Sequence, residues 1–84
     1  MPSKFLMIIE GDVVVLTREF PEHTLKEGDV GAVVHRHQDG ALEVEFVTAE
    51  GNTIAVLTLG ETDIRPFAGS EILHARAVPS VPSA

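Results

Sequence analysis

Hydrophobic positions through the middle of the chain come in short runs rich in Val and Ile, broken by Gly, Asp and Asn about every ten residues. No stretch sustains a helical period, so the pattern predicts an all-β domain. Residues 12–17 carry Val13, Val14, Val15 and Leu16 in succession, which predicts a first strand buried on both faces. A long connection, residues 18–29, follows it. Pro21 within it cannot donate to a ladder, Gly28-Asp29 signals a turn, and Leu25 is its inward anchor. Residues 30–38 predict a second strand, with Gly31 where a backbone approaches closely or a bulge forms.

Asp39-Gly40 is the strongest local signal, a tight hairpin whose positive φ suits Gly and is tolerated by Asp. Residues 42–47 form a third strand, with Leu42, Val44 and Phe46 alternating against Glu43 and Glu45. The turn Glu50-Gly51-Asn52 leads to a fourth strand, residues 53–59. A two-residue hairpin loop sets Arg36 opposite Glu43 as a surface ion pair and Val34 opposite Glu45, with His35 and His37 on the face of Val44 and Leu42. A bulged loop instead slips the register by one and turns Arg36 inward. After Gly60, residues 61–64 predict a short 3₁₀ turn capped by Thr62 or Asp63, and Arg65-Pro66-Phe67 continue as a last extended piece.

These elements fit a small five-stranded SH3-like barrel with a short 3₁₀ turn before the last strand. An open roll of OB type is the alternative, but the chain offers only residues 49–52 where that fold places a helix. Residues 1–9 are an apolar N-terminal extension, 10–67 the barrel and 68–84 a C-terminal extension. Within the last, residues 71–78 predict one more strand or helical turn, and a flexible Pro/Ser-rich tail runs from residue 79.

Composition narrows the function classes. The 84 residues amount to one domain with a modest core. There is no cysteine, which removes disulfides, thiolate catalysis and Cys-ligated metal centres. The formal charge is −7, and twelve of the thirteen acids lie in residues 10–63 beside only three of the six bases. Such a surface repels phosphate backbones and anionic lipid, so neither nucleic acid nor membrane is expected as a partner. It complements a protein with a basic patch. The apolar run Phe5-Leu6-Met7-Ile8-Ile9 is too short for a signal peptide, and a cytoplasmic location is the expectation.

Little in the chain points to catalysis. The serines Ser3, Ser70, Ser80 and Ser83 lie near the termini, no glycine-rich phosphate loop occurs, and Glu43 and Glu45 on one face do not make an acid–base pair without a desolvated cleft. No enzyme activity and no cofactor are expected. His35 and His37 project to one face of a strand, a spacing found in some metal sites, but a site needs a third ligand and His23 and His74 are remote in sequence. The plainer reading is two partly exposed histidines near a strand end.

The segment from Leu25 through Lys26-Glu27-Gly28-Asp29-Val30-Gly31 to Val34 is similar to the KOW motif of ribosomal and elongation proteins, whose turn leads into a barrel strand. Here it lacks the basic residues and exposed aromatics that bind nucleic acid. A wider pattern runs over residues 10–66: Asp12-Val13-Val14, Leu16, Pro21, Leu25, Gly28-Asp29, Gly31, Val33-Val34, Glu43-Val44-Glu45-Phe46, Gly51, Ala55-Val56 and Thr58-Leu59. It resembles the DUF4926-type domain of small bacterial proteins. The resemblance implies an SH3-like protein without catalytic residues, in some cases encoded beside toxin–antitoxin-like genes. The Asp39-Gly40 hairpin is shorter than that pattern, and the extension after Phe67 lies outside it.

The reading that follows is a non-catalytic, acidic protein-binding module, an accessory or antitoxin-like partner of a neighbouring protein. Its contact residues are Glu19, Phe20, Glu22 and His23 in the long loop, with Glu43 and Glu45 on the outer sheet face. Phe20 is either an exposed aromatic anchor or a lid on the core. The alternatives are a self-assembling homo-oligomer, a KOW-like nucleic-acid-associated module and a metal binder through His35 and His37.

Overall fold

Strands form where the short apolar runs lie: Val13–Leu16 (β1), Val30–Arg36 (β2), Leu42–Val47 (β3), Thr53–Leu59 (β4) and Ile64–Pro66 (β5). This computed structural model describes residues 8–79. All neighbouring strands are antiparallel in one sheet of order β4-β3-β2-β1-β5, the all-β architecture expected from the pattern. Among the described residues β4 pairs only with β3 and β5 only with β1, so the hydrogen-bond ladder stays open between them. A single apolar cluster nevertheless joins both edges. It gathers Val14 and Leu16, Val33, Leu42, Val44 and Phe46, Leu57 and Leu59, and Ile64, together with Ile8, Phe20 and Leu25.

The two-sided burial expected of β1 holds from Val14 to Leu16, while Val13 at its start is exposed. Val14 and Leu16 enter the cluster, whereas Val15 is buried outside it, on the opposite face of the sheet. Phe67, Glu71, Ile72 and His74 lie around Val15 there. The C-terminal extension, residues 68–78, therefore packs back on the domain ahead of the tail expected from residue 79. Residues 71–78 form neither the expected strand nor the expected helical turn; a turn at Gly69-Ser70 leads into them, and side-chain ion pairs hold them to the domain. Residues 80–84 lie outside the described range, as do residues 1–7 of the predicted N-terminal extension, but Ile8 belongs to the core.

The 3₁₀ turn is also relocated. It occupies Pro21–His23, where Pro21 supplies a fixed helical φ at the first position. Residues 60–63 instead make one tight turn: the Asp63 amide donates to the Gly60 carbonyl (3.0 Å), and the Gly60 amide donates to Asp63 Oδ2 (3.0 Å). A carboxylate that closes its own turn in this way leaves no helical segment to cap.

The β2–β3 hairpin turns on three residues. The His37 amide donates to the Ala41 carbonyl (2.8 Å), the Gly40 amide donates to the His37 carbonyl (3.0 Å), and Gly40 has φ +94°. This loop carries its extra residue at a left-handed glycine, and a further bulge lies between Val33 and His35. The pairs are consequently Ala32 with Glu45, Val33 with Val44, His35 with Glu43 and Arg36 with Leu42. Arg36 turns inward. It donates to the Ile8 carbonyl (3.1 Å) and lies 3.9 Å from Glu61, so the expected Arg36–Glu43 pair is replaced. Gly40→Ala is expected to destabilise the domain by about 1–2 kcal/mol, read from urea midpoints, because no neighbour within 4 Å obstructs a Cβ and the left-handed backbone alone supplies the penalty. A neutral result would mean that the turn changes type.

Candidate partner-binding face

Alternation along the strands sorts the side chains between the core and the outer face. Across the sheet one outward row runs Val13, Ala32, Glu45 and Val56, in direct register on β1 to β4. All but Glu45 are exposed, and Val34, displaced by the bulge, stands beside them. The adjoining row places His35 opposite Glu43 and Glu43 opposite Thr58. Side-chain contacts order this face: Thr53 donates to Glu45 Oε2 (2.7 Å), His37 Nε2 meets Glu43 Oε2 (3.0 Å), and His35 Nδ1 meets Glu10 Oε2 (3.3 Å).

His35 and His37 share one face, as their spacing requires, with ring centroids 4.6 Å apart in an edge-on arrangement. They sit on the outer side with Glu43 rather than on the side of Val44 and Leu42, because the three-residue loop shifts the register by one. Among the described residues no group of three or more His, Asp or Glu side chains is arranged to hold a metal ion.

The long loop behaves differently from the expected recognition element. Phe20 is only 6% exposed and belongs to the core cluster, so it is a lid and leaves the set of contact residues. Its backbone explains the burial: the Phe20 amide donates to the Leu25 carbonyl (2.9 Å) and the Leu25 amide returns the bond (3.2 Å), pinching residues 21–24 into a closed loop. Both pinching side chains then point into the core. The Arg18 guanidinium lies 3.9 Å from the Phe20 ring centroid and donates to Asp63 Oδ1 (2.9 Å). That hydrogen bond, opposed by desolvation, holds the Asp63 carboxyl below its ordinary pKa. Glu19, Glu22 and His23 remain exposed, Glu22 and His23 within the pinched loop and Glu19 just before it.

A constellation that the sequence reading did not assemble lies where the C-terminal extension crosses the loop. Asp29, 7% exposed, is the one buried charged side chain among the described residues. Its Oδ2 accepts the Lys26 amide (2.8 Å) and so closes the turn that Gly28-Asp29 signals. The same carboxylate receives Arg76 through Nε (2.8 Å) and Nη2, and His74 Nε2 lies 3.2 Å away. Burial pushes the Asp29 pKa up, but the Arg76 hydrogen bond, the Lys26 amide, the Arg76 charge and His74 outweigh it, leaving a net lowering. Arg76 Nη2 also donates to the Thr24 carbonyl (2.8 Å), and Thr24 has φ +58°, an uncommon conformation for a β-branched residue. A second pair, Arg65 with Glu71 (2.7 and 2.6 Å), anchors the start of the extension. It brings the Glu71 pKa down to about 2.

Fold and site together define a small antiparallel all-β domain with a mixed apolar and acidic outer face. The chain belongs to the family described as Domain of unknown function (DUF4926), whose model matches residues 10–66. The match spans all five strands, while the extension that carries His74 and Arg76 follows it. No curated protein and no solved structure matches the chain. Among the described residues no helix is long and apolar enough to cross a membrane.

Proposed function

We propose that this domain is a non-catalytic binding module whose outer sheet face docks a protein partner bearing a basic patch. One observation carries the reading: Val13 and Val56 lie exposed in the row of Glu45, with exposed Val34 in the adjacent bulge and Glu43 and Glu10 nearby. Apolar side chains ringed by charge are the anatomy of a protein interface, with the valines supplying buried area and the carboxylates supplying steering and register. The excess of acids in residues 10–63 sets the sign of the partner. An accessory or antitoxin-like role beside a neighbouring gene product fits such a module.

The test is co-expression with the product of the adjacent gene, followed by titration of the purified pair at two salt concentrations. A complex is expected that weakens with salt, and both E45K and V34D are expected to lower its affinity at least tenfold. Failure to form a complex, or a complex indifferent to both changes, would remove the reading. Self-association is a second reading, favoured by β4, an uncharged seven-residue edge strand without proline. Light scattering that gives a dimer of this 9.0 kDa chain, with no partner bound, would support it instead.

A further inference from the structure

The Asp29 cradle has the features of a receptor for an arginine, and its present occupant is poorly fixed by anything else. Besides the adjacent Ala77 carbonyl within the extension itself, the acceptors of Arg76 come from the family-matched domain: the Asp29 carboxylate and the carbonyl of Thr24, a residue with left-handed backbone. The donor comes from the extension beyond it. The extension contributes no residue to the apolar core cluster. Two of its apolar side chains face water, with Ile72 92% and Leu73 62% exposed. Apart from its cover over Val15, the extension is held by the Arg65–Glu71 pair at the surface, which salt screens, and by the Arg76–Asp29 pair with His74 beside it, which a competing guanidinium can replace.

Beside the cradle an open groove of about 660 Å³ runs between the extension and the sheet, floored by Leu25, Val30, Phe46 and Ile54. Floor and carboxylate are continuous, because Leu25 and Asp29 flank the same turn. We propose that this surface is a docking site for an extended peptide segment bearing an arginine next to small apolar residues, and that residues 71–78 are its built-in competitor. The chemistry of the occupant is read from the strap itself, Leu73-His74-Ala75-Arg76-Ala77-Val78. The planar guanidinium fork matches two carboxylate oxygens in a way that lysine cannot. While the strap is bound, an outside peptide is weakened by the fraction of molecules whose cradle is free. The cradle lies at one end of the outer sheet face and shares no residue with the Val13, Val34, Glu45 and Val56 patch, so either site can fail without the other.

The experiment is fluorescence anisotropy with a fluorescein-labelled synthetic peptide of residues 71–79, titrated with the full chain and with its R76A variant. R76A is expected to bind the peptide at least ten times more tightly than the unaltered chain, and to lose the binding as salt rises. A peptide that itself carries R76A is expected not to bind; this control leaves the protein untouched. E45K on the outer face is expected to leave peptide binding unchanged. Equal affinity of the two chains would show that the strap does not compete. Equal affinity of the two peptides, or no binding to the R76A chain, would show that the cradle does not receive arginine in trans.

Discussion

Truncating Phe46 to alanine is expected to cost about 3–5 kcal/mol, which for a chain of this size is a large part of a total of about 4–10 kcal/mol. Phe46 is buried in the cluster from the central strand of the meander, and its ring also closes over Gly31. A Cβ at residue 31 would lie 2.7 Å from Val44 Cγ1 and 2.8 and 2.9 Å from the Phe46 ring. Gly31→Ala is therefore expected to destabilise by about 1–3 kcal/mol, against the usual advantage of alanine over glycine within a strand. The two changes share a contact, so they should not add. In the Phe46→Ala background the alanine at 31 finds space on the ring side, and the double mutant should be more stable than the sum by on the order of 1 kcal/mol. Urea denaturation of the four proteins measures the cycle, and strict additivity would mean that the ring does not confine Gly31.

Asp29→Ala is expected to lower stability by about 1.5–3 kcal/mol and the thermal midpoint by on the order of 10 °C, because a charge-assisted pair is lost and the Lys26 amide loses its acceptor. Arg76→Ala should cost less, since that turn amide stays satisfied. The same carboxylates set a pH dependence. Asp29 and Glu71 both have folded-state pKa values below their ordinary ones, so their stabilisation is complete above the ordinary values, 3.8 and 4.5, and is lost as pH falls through the folded ones. For Glu71 the window runs from 4.5 down to about 2. Arg65 faces Glu71, while Arg76, His74 and the Lys26 amide face Asp29, so acid should release residues 71–78 ahead of the core. Amide resonances of the strap are expected to move to free-peptide positions in that window while those of Val14, Val33 and Val44 persist. Loss of both sets at one pH would show that the strap has no separate equilibrium.

Much of the sheet was legible because its cause is local. The alternation of Leu42, Val44 and Phe46 against Glu43 and Glu45 describes one buried face and one wet face, and the run Val13 to Leu16 describes a strand covered on both faces from Val14 onward, with Val13 left exposed. Gly31 announced a close approach, and Leu25 an inward anchor. The hairpin register was less legible. Asp39-Gly40 is compatible with both a two-residue and a three-residue loop, and the choice moved His35 and His37 to the outer face and Arg36 inward. Phe20 followed the same logic, since its burial depends on the Phe20–Leu25 pinch.

By itself the sequence determined the strand class, the strand boundaries to within a few residues, the inner and outer faces of β3 and the acidic sign of the surface. These follow from period-two patterning and net charge, which neighbouring residues settle among themselves. Only the tertiary structure decided where Arg76 goes. Asp29 and Arg76 lie 47 residues apart, and neither residue marks the other in any local pattern. Their meeting depends on β1 and β5 pairing and on the chain then turning back over Val15. A contact of that kind is fixed by packing geometry, and it made an irregular strap of residues that read as one more strand or helical turn.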